Sequence, residues 1–181
     1  MRRLAIALIA AGALFSGAAR ADESFDNFRN FCVATRGQSA SALALADASG
    51  WQPLPPQFLS QLPPPFQGAA GRGRQVAGVT QILITASGSQ GDLGPARVCA
   101  VGVAPAGASD LAGQLQAFAA VPKQNLPNAP EGLYIWRDEN GRHIPLARNA
   151  PDFSAQFSSG ALIASTTTLP QIAMILLLTA Q

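Results

Sequence analysis

The chain has 181 residues, of which 48% are hydrophobic and only 12% charged, with 17 glycines, 14 prolines, two cysteines and one histidine. That apolar fraction argues against disorder, and so few titratable side chains leave little material for acid–base or metal chemistry. The formal charge of +2 is carried by the N-terminus: without Arg2, Arg3 and Arg20 the remainder holds nine basic against ten acidic residues, which predicts no nucleic-acid partner, because such a footprint needs a basic stripe or cluster.

The first 21 residues, MRRLAIALIAAGALFSGAARA, combine a basic start, an apolar run from Leu4 to Phe15 and the small-x-small site Ala19-Arg20-Ala21. This is the pattern of a secretory signal peptide cleaved after Ala21. The apolar run falls short of the roughly 20 residues a membrane-spanning helix needs, so the expectation is an exported, periplasmic chain with no stable membrane span after cleavage. Residues 22–181 are then expected to form one α+β domain.

Next, FRNFCVATRGQSASALALADASGW (28–51) predicts a helical hairpin. Phe25, Phe28 and Cys32 share one helical face, Thr35-Arg36-Gly37 interrupts the helix, and Ser39 or Ser41 is the expected cap of a second, alanine-rich helix. Gly50 falls where a left-handed residue ends a helix, which gives Trp51 the job of folding back on Leu45 or Ala46. The segment QPLPPQFLSQLPPPFQGAAGRG (52–73) follows as a proline-rich loop, since proline fixes φ and removes a donor. Its Leu54, Phe58, Leu62 and Phe66 either pin the loop across the domain's own surface or, if exposed, form a partner-binding site. Arg72 and Arg74 are read in the same loop, as a solvated pair or an anion site.

Beyond it, QVAGVTQILITASG and ARVCAVGVAP predict two strands joined by a loop from Ser87 to Pro95. SDLAGQLQAFAA predicts a helix capped by Ser109 and ended by Pro122. The dipeptide Asn140-Gly141 predicts a type I′ hairpin within LYIWRDENGRHIPL, and its register sets Asp138 opposite His143. Residues 160–167 and 171–179 read as strands, the second, with IAMILLL, as a central one covered on both faces. The expected order is ααββαββββ: a helical hairpin on a largely antiparallel sheet of about six strands, with one further helix and the helices on one face.

Cys32 and Cys99 are too far apart in sequence for a CxxC redox motif or zinc knuckle. An isolated pair in an exported chain predicts a structural disulfide, the alternative being two free buried thiols. His143 with Asp138 resembles two parts of a nucleophilic triad, but no nucleophile motif supplies the third: TASGSQG does not fit GxSxG and GRGRQV does not fit GxGxxG. Asp138 and Glu139 point to opposite faces of a strand, and Glu131 and Asp152 could join them only through the tertiary fold. The sequence predicts no metal and no cofactor.

The signal peptide, the FxxFC start, Thr35, Gly50-Trp51, VCAVGV and SDLAGQLQAF together resemble a family of small exported bacterial proteins of unknown function. The resemblance implies an envelope location and the Cys32–Cys99 pairing, and no activity. Some members resemble lipoproteins, whereas this chain has Ala21 where the lipid-bearing cysteine would stand. Two functional expectations follow: a non-catalytic envelope protein that binds another envelope protein or a small ligand, or a small hydrolase or modifying enzyme centred on His143 and Asp138.

Overall fold

The computed structural model describes residues 18–62, 66, 68–126 and 132–181. Most of the predicted signal peptide, prolines 63–65, Gln67 and residues 127–131, with Glu131, lie outside the described residues. The strands are β1 (Gln52–Pro53), β2 (Ala70–Val76), β3 (Val79–Ser89), β4 (Pro95–Ala104), β5 (Tyr134–Glu139), β6 (Arg142–Pro145), β7 (Leu162–Leu169) and β8 (Ile172–Ala180). They form one sheet in the order β1-β2-β3-β4-β8-β7-β5-β6, antiparallel at every pairing. The helices are α1 (Ala18–Phe28), α2 (Ser39–Ala48), α3 (Pro56–Leu59), α4 (Leu111–Ala119) and α5 (Phe153–Ser158).

The α+β class and the antiparallel sheet agree with the sequence, but the described chain has eight strands where about six were expected. One extra strand comes from splitting QVAGVTQILITASG. Ala77 and Gly78 both have positive φ, 47° and 83°, and Val76 pairs with Val79 across them, so the segment is two strands around a two-residue turn of the I′ kind. The other is β1, two residues paired with Gly73 and Arg72 of β2. Two short helices, α3 and α5, stand outside the expected order.

β4 and β8 lie side by side at the centre of the sheet. Along β4, Cys99, Val101 and Val103 face one side, while Val98 and Ala100 face the other, all fully buried. Met174 to Leu177 of β8 are likewise buried on alternating sides, as expected of a strand covered twice. One face meets α1, α2 and α4 through Phe25, Phe28, Phe31, Trp51, Leu111 and Leu115. The other meets the proline-rich segment and α5, the latter through Phe153 and Phe157 on Ile135 and Ile163. Helices confined to one face are therefore a misreading: β4 and β8 have apolar side chains on both sides, and each side needs a cover.

The helical hairpin of the N-terminal region is present, with a π-helical turn, Arg29–Val33, continuing α1. The rings of Phe25, Phe28 and Phe31 are at most 8% exposed. Truncating one buried ring to alanine costs about 3–5 kcal/mol, against about 0–1 kcal/mol for an exposed ion pair, so the rings seat this hairpin. Neither Ser39 nor Ser41 caps α2; both lie inside it, after Gln38, whose side chain makes no capping bond. At the other end Gly50 adopts φ 77°, its N–H donates to Asp47 O, and the Trp51 N–H donates to Ala46 O, both at 3.0 Å. These are the two bonds of a Schellman ending. Trp51 packs edge-on against Phe31, ring centroids 5.3 Å apart, while Leu45 stays exposed. The cap of α4 is Asp110 rather than Ser109: its Oδ1 accepts from Gly113 N at 2.9 Å.

Cys32 and Cys99 form a disulfide, Cα atoms 5.4 Å apart, joining the π-helical turn to β4. It closes a loop of 67 residues, which in the chain-entropy account stabilises the fold by about 4 kcal/mol. Alkylation without reductant should add no mass to the native protein. The Cys32→Ala, Cys99→Ala double variant should lose up to about 4 kcal/mol in denaturant unfolding; unchanged stability would show that the bond constrains nothing.

Candidate functional site

The Asn140-Gly141 turn has φ values of 50° and 76°, and the hairpin register pairs Asp138 with His143. The His143 Nε2 lies 3.3 Å from Asp138 Oδ1, and Nδ1 lies 2.9 Å from Ala119 O at the end of α4. The ring is flanked by Phe118 and Trp136, each with its centroid 5.1 Å away. Both nitrogens thus face oxygens that belong to the fold, and the imidazole ties the β5–β6 hairpin to the end of α4. A triad base needs one nitrogen turned to a nucleophile's hydroxyl. Here one nitrogen faces a carboxylate and the other a backbone carbonyl. Asp138 borders a polar depression in the surface, and His143 is not among the residues lining it. Asp152 accepts from Gln156 Nε2 within the same helical turn, far in role from that pair.

Arg72 and Arg74 stand in β2, not in a loop. The GRGR pattern is strand alternation with a different demand on each face. A Cβ on Gly71 would come within 2.7 Å of the Leu54 side chain and 2.8 Å of the Leu83 backbone oxygen, and one on Gly73 within 2.8 Å of Leu54, so Gly71 admits no side chain and Gly73 gives Leu54 its room where the proline-rich segment lies flat on the sheet. The arginines project to the other side, toward the helices. Arg72 donates through Nε and Nη2 to the two carboxylate oxygens of Asp47 in α2, at 2.5 and 3.1 Å, a bidentate pairing. Arg74 donates to Glu23 at 2.5 Å and to Gln81 Oε1 at 2.8 Å, and its guanidinium sits 4.9 Å over the Trp51 ring. Gln81 is buried and also accepts from Asn27 and donates to Ser24. This polar knot fastens β2 and β3 to α1, and no period or motif in the sequence singles out Gln81. With carboxylates on both guanidiniums, the pair serves as fasteners and offers no open anion site.

Leu54, Phe58, Leu62 and Phe66 lie across the second face of the sheet, over Ile82, Ile84, Val98, Ala100, Met174 and Leu176. Phe66 is buried; the other three are partly covered. Of the two expectations for this segment, the self-covering one describes these four residues. A small apolar cavity of about 220 Å³ remains at its edge, between Leu54, Pro55, Phe58, Ile82 and Ile172. Among the described residues no cluster of three or more His, Cys, Asp or Glu side chains is placed to hold a metal ion, and no helix is long and apolar enough to cross a membrane.

Compared with protein-family models, with curated proteins and with solved structures, the chain matches none.

The bidentate bond from Arg72 holds the Asp47 carboxyl below its ordinary value of 3.8. A carboxyl depressed in the folded state stabilises the fold above its unfolded pKa and loses that contribution as pH falls through the lower, folded one. Wild type should therefore exceed Arg72→Ala in stability at neutral pH, and the gap should narrow as pH drops below 3.8. A gap independent of pH in denaturant melts would assign the loss to packing of the arginine stem instead.

Proposed function

We propose that the protein is an exported, non-catalytic component of the bacterial cell envelope that acts by binding. The Cys32–Cys99 bond carries this reading, because a persistent structural disulfide belongs to an oxidising compartment. The basic, apolar and small-residue phases of residues 1–21 point the same way, as does the resemblance to small exported bacterial proteins. The predicted cleavage position lies within α1, between Ala21 and Asp22, and leaves every ring that seats this helix on the mature side.

The binding reading draws on the use of the chain's reactive groups. Its histidine and the arginines of β2 are committed to holding elements together. An apolar cavity lined by Leu54, Pro55 and Phe58 stands beside α3, at the rim of the proline-rich segment. The partner is then an envelope protein, or a small ligand, that engages this rim.

Fractionation of the native host should recover the protein in the periplasm with a mass that begins at Asp22; recovery of the full-length chain in the cytoplasm would overturn the export reading. Crosslinking in the intact envelope should give a partner adduct in wild type that Gln57→Arg reduces, since Gln57 is exposed on α3. A deletion of the segment is unsuitable, because it would uncover Ile84, Val98 and Met174. An adduct of equal strength in Gln57→Arg would move the contact elsewhere.

A further inference from the structure

A second arginine cluster sits at the far end of the helix-covered face. Arg36, Arg97 and Arg137 line one depression of about 540 Å³, together with Asp138, Ser158, Ser159 and Thr179. We propose that this depression is a preformed binding site for a phosphate group.

The arginines here differ from those of β2 in what holds them. Arg36 Nη2 donates to Gly160 O at 2.6 Å, and Arg97 Nη1 donates to Ala180 O at 2.8 Å. Among the described residues neither takes part in an ion pair, whereas Arg29, Arg72, Arg74, Arg137 and Arg148 each meet a carboxylate. A neutral carbonyl orients a guanidinium without cancelling its charge, and it occupies only part of the fork of N–H donors. Two oriented, uncompensated guanidiniums facing one depression match the planar, bidentate recognition of a phosphate. Arg137 donates to Glu139, so its charge is offset and it contributes least. Asp138 is the one acidic side chain of the lining, its Oδ1 3.3 Å from His143 Nε2 on the hairpin, and Gln181, the last residue, with its carboxylate, also borders the depression.

The backbone under Arg36 is built for this placement. Arg36 has φ 50° and Gly37 φ 67°. An arginine in the left-handed region is uncommon, and it persists where surroundings over-determine it. Those surroundings are the disulfide and β8. The Gly37 N–H donates to Cys32 O at 2.9 Å, and Thr179 Oγ1 donates to Arg36 O at 2.8 Å. A Cβ on Gly37 would stand 3.3 Å from Thr179 Oγ1 and 3.5 Å from Arg97 Cβ. The turn therefore rests directly on the strands that carry Arg97 and Thr179, and the Cys32–Cys99 bond holds the two arginines in register before any ligand arrives. Preorganisation of this kind lowers the ordering cost of binding.

Phosphate binding can be measured on the purified, disulfide-intact protein, so its outcome is independent of the compartment and of any partner at the α3 rim. Titration with inorganic phosphate at constant ionic strength should give saturable binding that acetate does not reproduce. Arg36→Gln and Arg97→Gln should each weaken it about tenfold or more, consistent with loss of one charge-assisted contact. Arg36→Lys should recover only part of the loss, and Arg142→Gln, an exposed arginine outside the depression, should leave it unchanged. Circular dichroism of each variant separates lost binding from lost fold, and Arg97→Lys supplies a charge-preserving form should Arg97→Gln unfold. A glycerol phosphate that competes with inorganic phosphate would identify a soluble phosphate compound as the source. Retention on phosphatidylglycerol vesicles, relieved by phosphate, would identify a lipid headgroup. Absence of saturable binding, or equal affinity in the folded Arg36→Gln and Arg97→Gln variants, would overturn the proposal.

Discussion

The constraint on which the fold depends is that β4 and β8 have apolar side chains on both sides. Val98, Cys99, Ala100 and Val101 are fully buried in succession, and a sheet with such a centre cannot leave either face in water. Two covers of different construction answer it. One is helical and assembled from α1, α2 and α4 around buried aromatic rings. The other is mostly a proline-rich segment, which can lie flat because β2 presents glycine to it at Gly71 and Gly73.

The two covers share β2. Its glycines admit the proline-rich segment on one side, while its arginines grip α1 and α2 on the other, so four consecutive residues serve two interfaces with opposite requirements. The disulfide plays a matching part at the other end of the helical cover, where it fixes the turn after α1 to β4. Both anchors act on the N-terminal hairpin, which also meets the sheet through its buried rings, through Ala42 and Ala46, and through the bonds of Gln81 to Asn27 and Ser24.

How legible this was depended on whether local chemistry and tertiary placement agreed. Gly50-Trp51 and Asn140-Gly141 are turn chemistries that hold in any context, and the helix ending and the Asp138–His143 pairing follow from them. The disulfide was legible because only two cysteines exist. Ala77-Gly78 lacked the asparagine that usually marks a type I′ turn, so two strands read as one. GRGR reads as a loop because glycine is poor in strands; only its period of two, with glycines facing Leu54 and arginines facing the helices, shows otherwise. Asp110 and Ser109 are both good caps, and sequence had no means to rank them. Arg36 and Arg97 were within reach of inference: a bond between Cys32 and Cys99 brings together a residue four after one cysteine and a residue two before the other. What sequence could not supply was the partner of each arginine, carboxylate or carbonyl, and that distinction separates a fastener from a binding site.

The order of the sheet leaves β1 and β6 at its two margins, one of two residues ending in Pro53 and the other of four ending in Pro145. A long open margin is a template on which a second chain can add a strand. Here each margin is short and carries a residue with no N–H to offer. Each proline removes one backbone donor from the margin that a second copy would need for pairing.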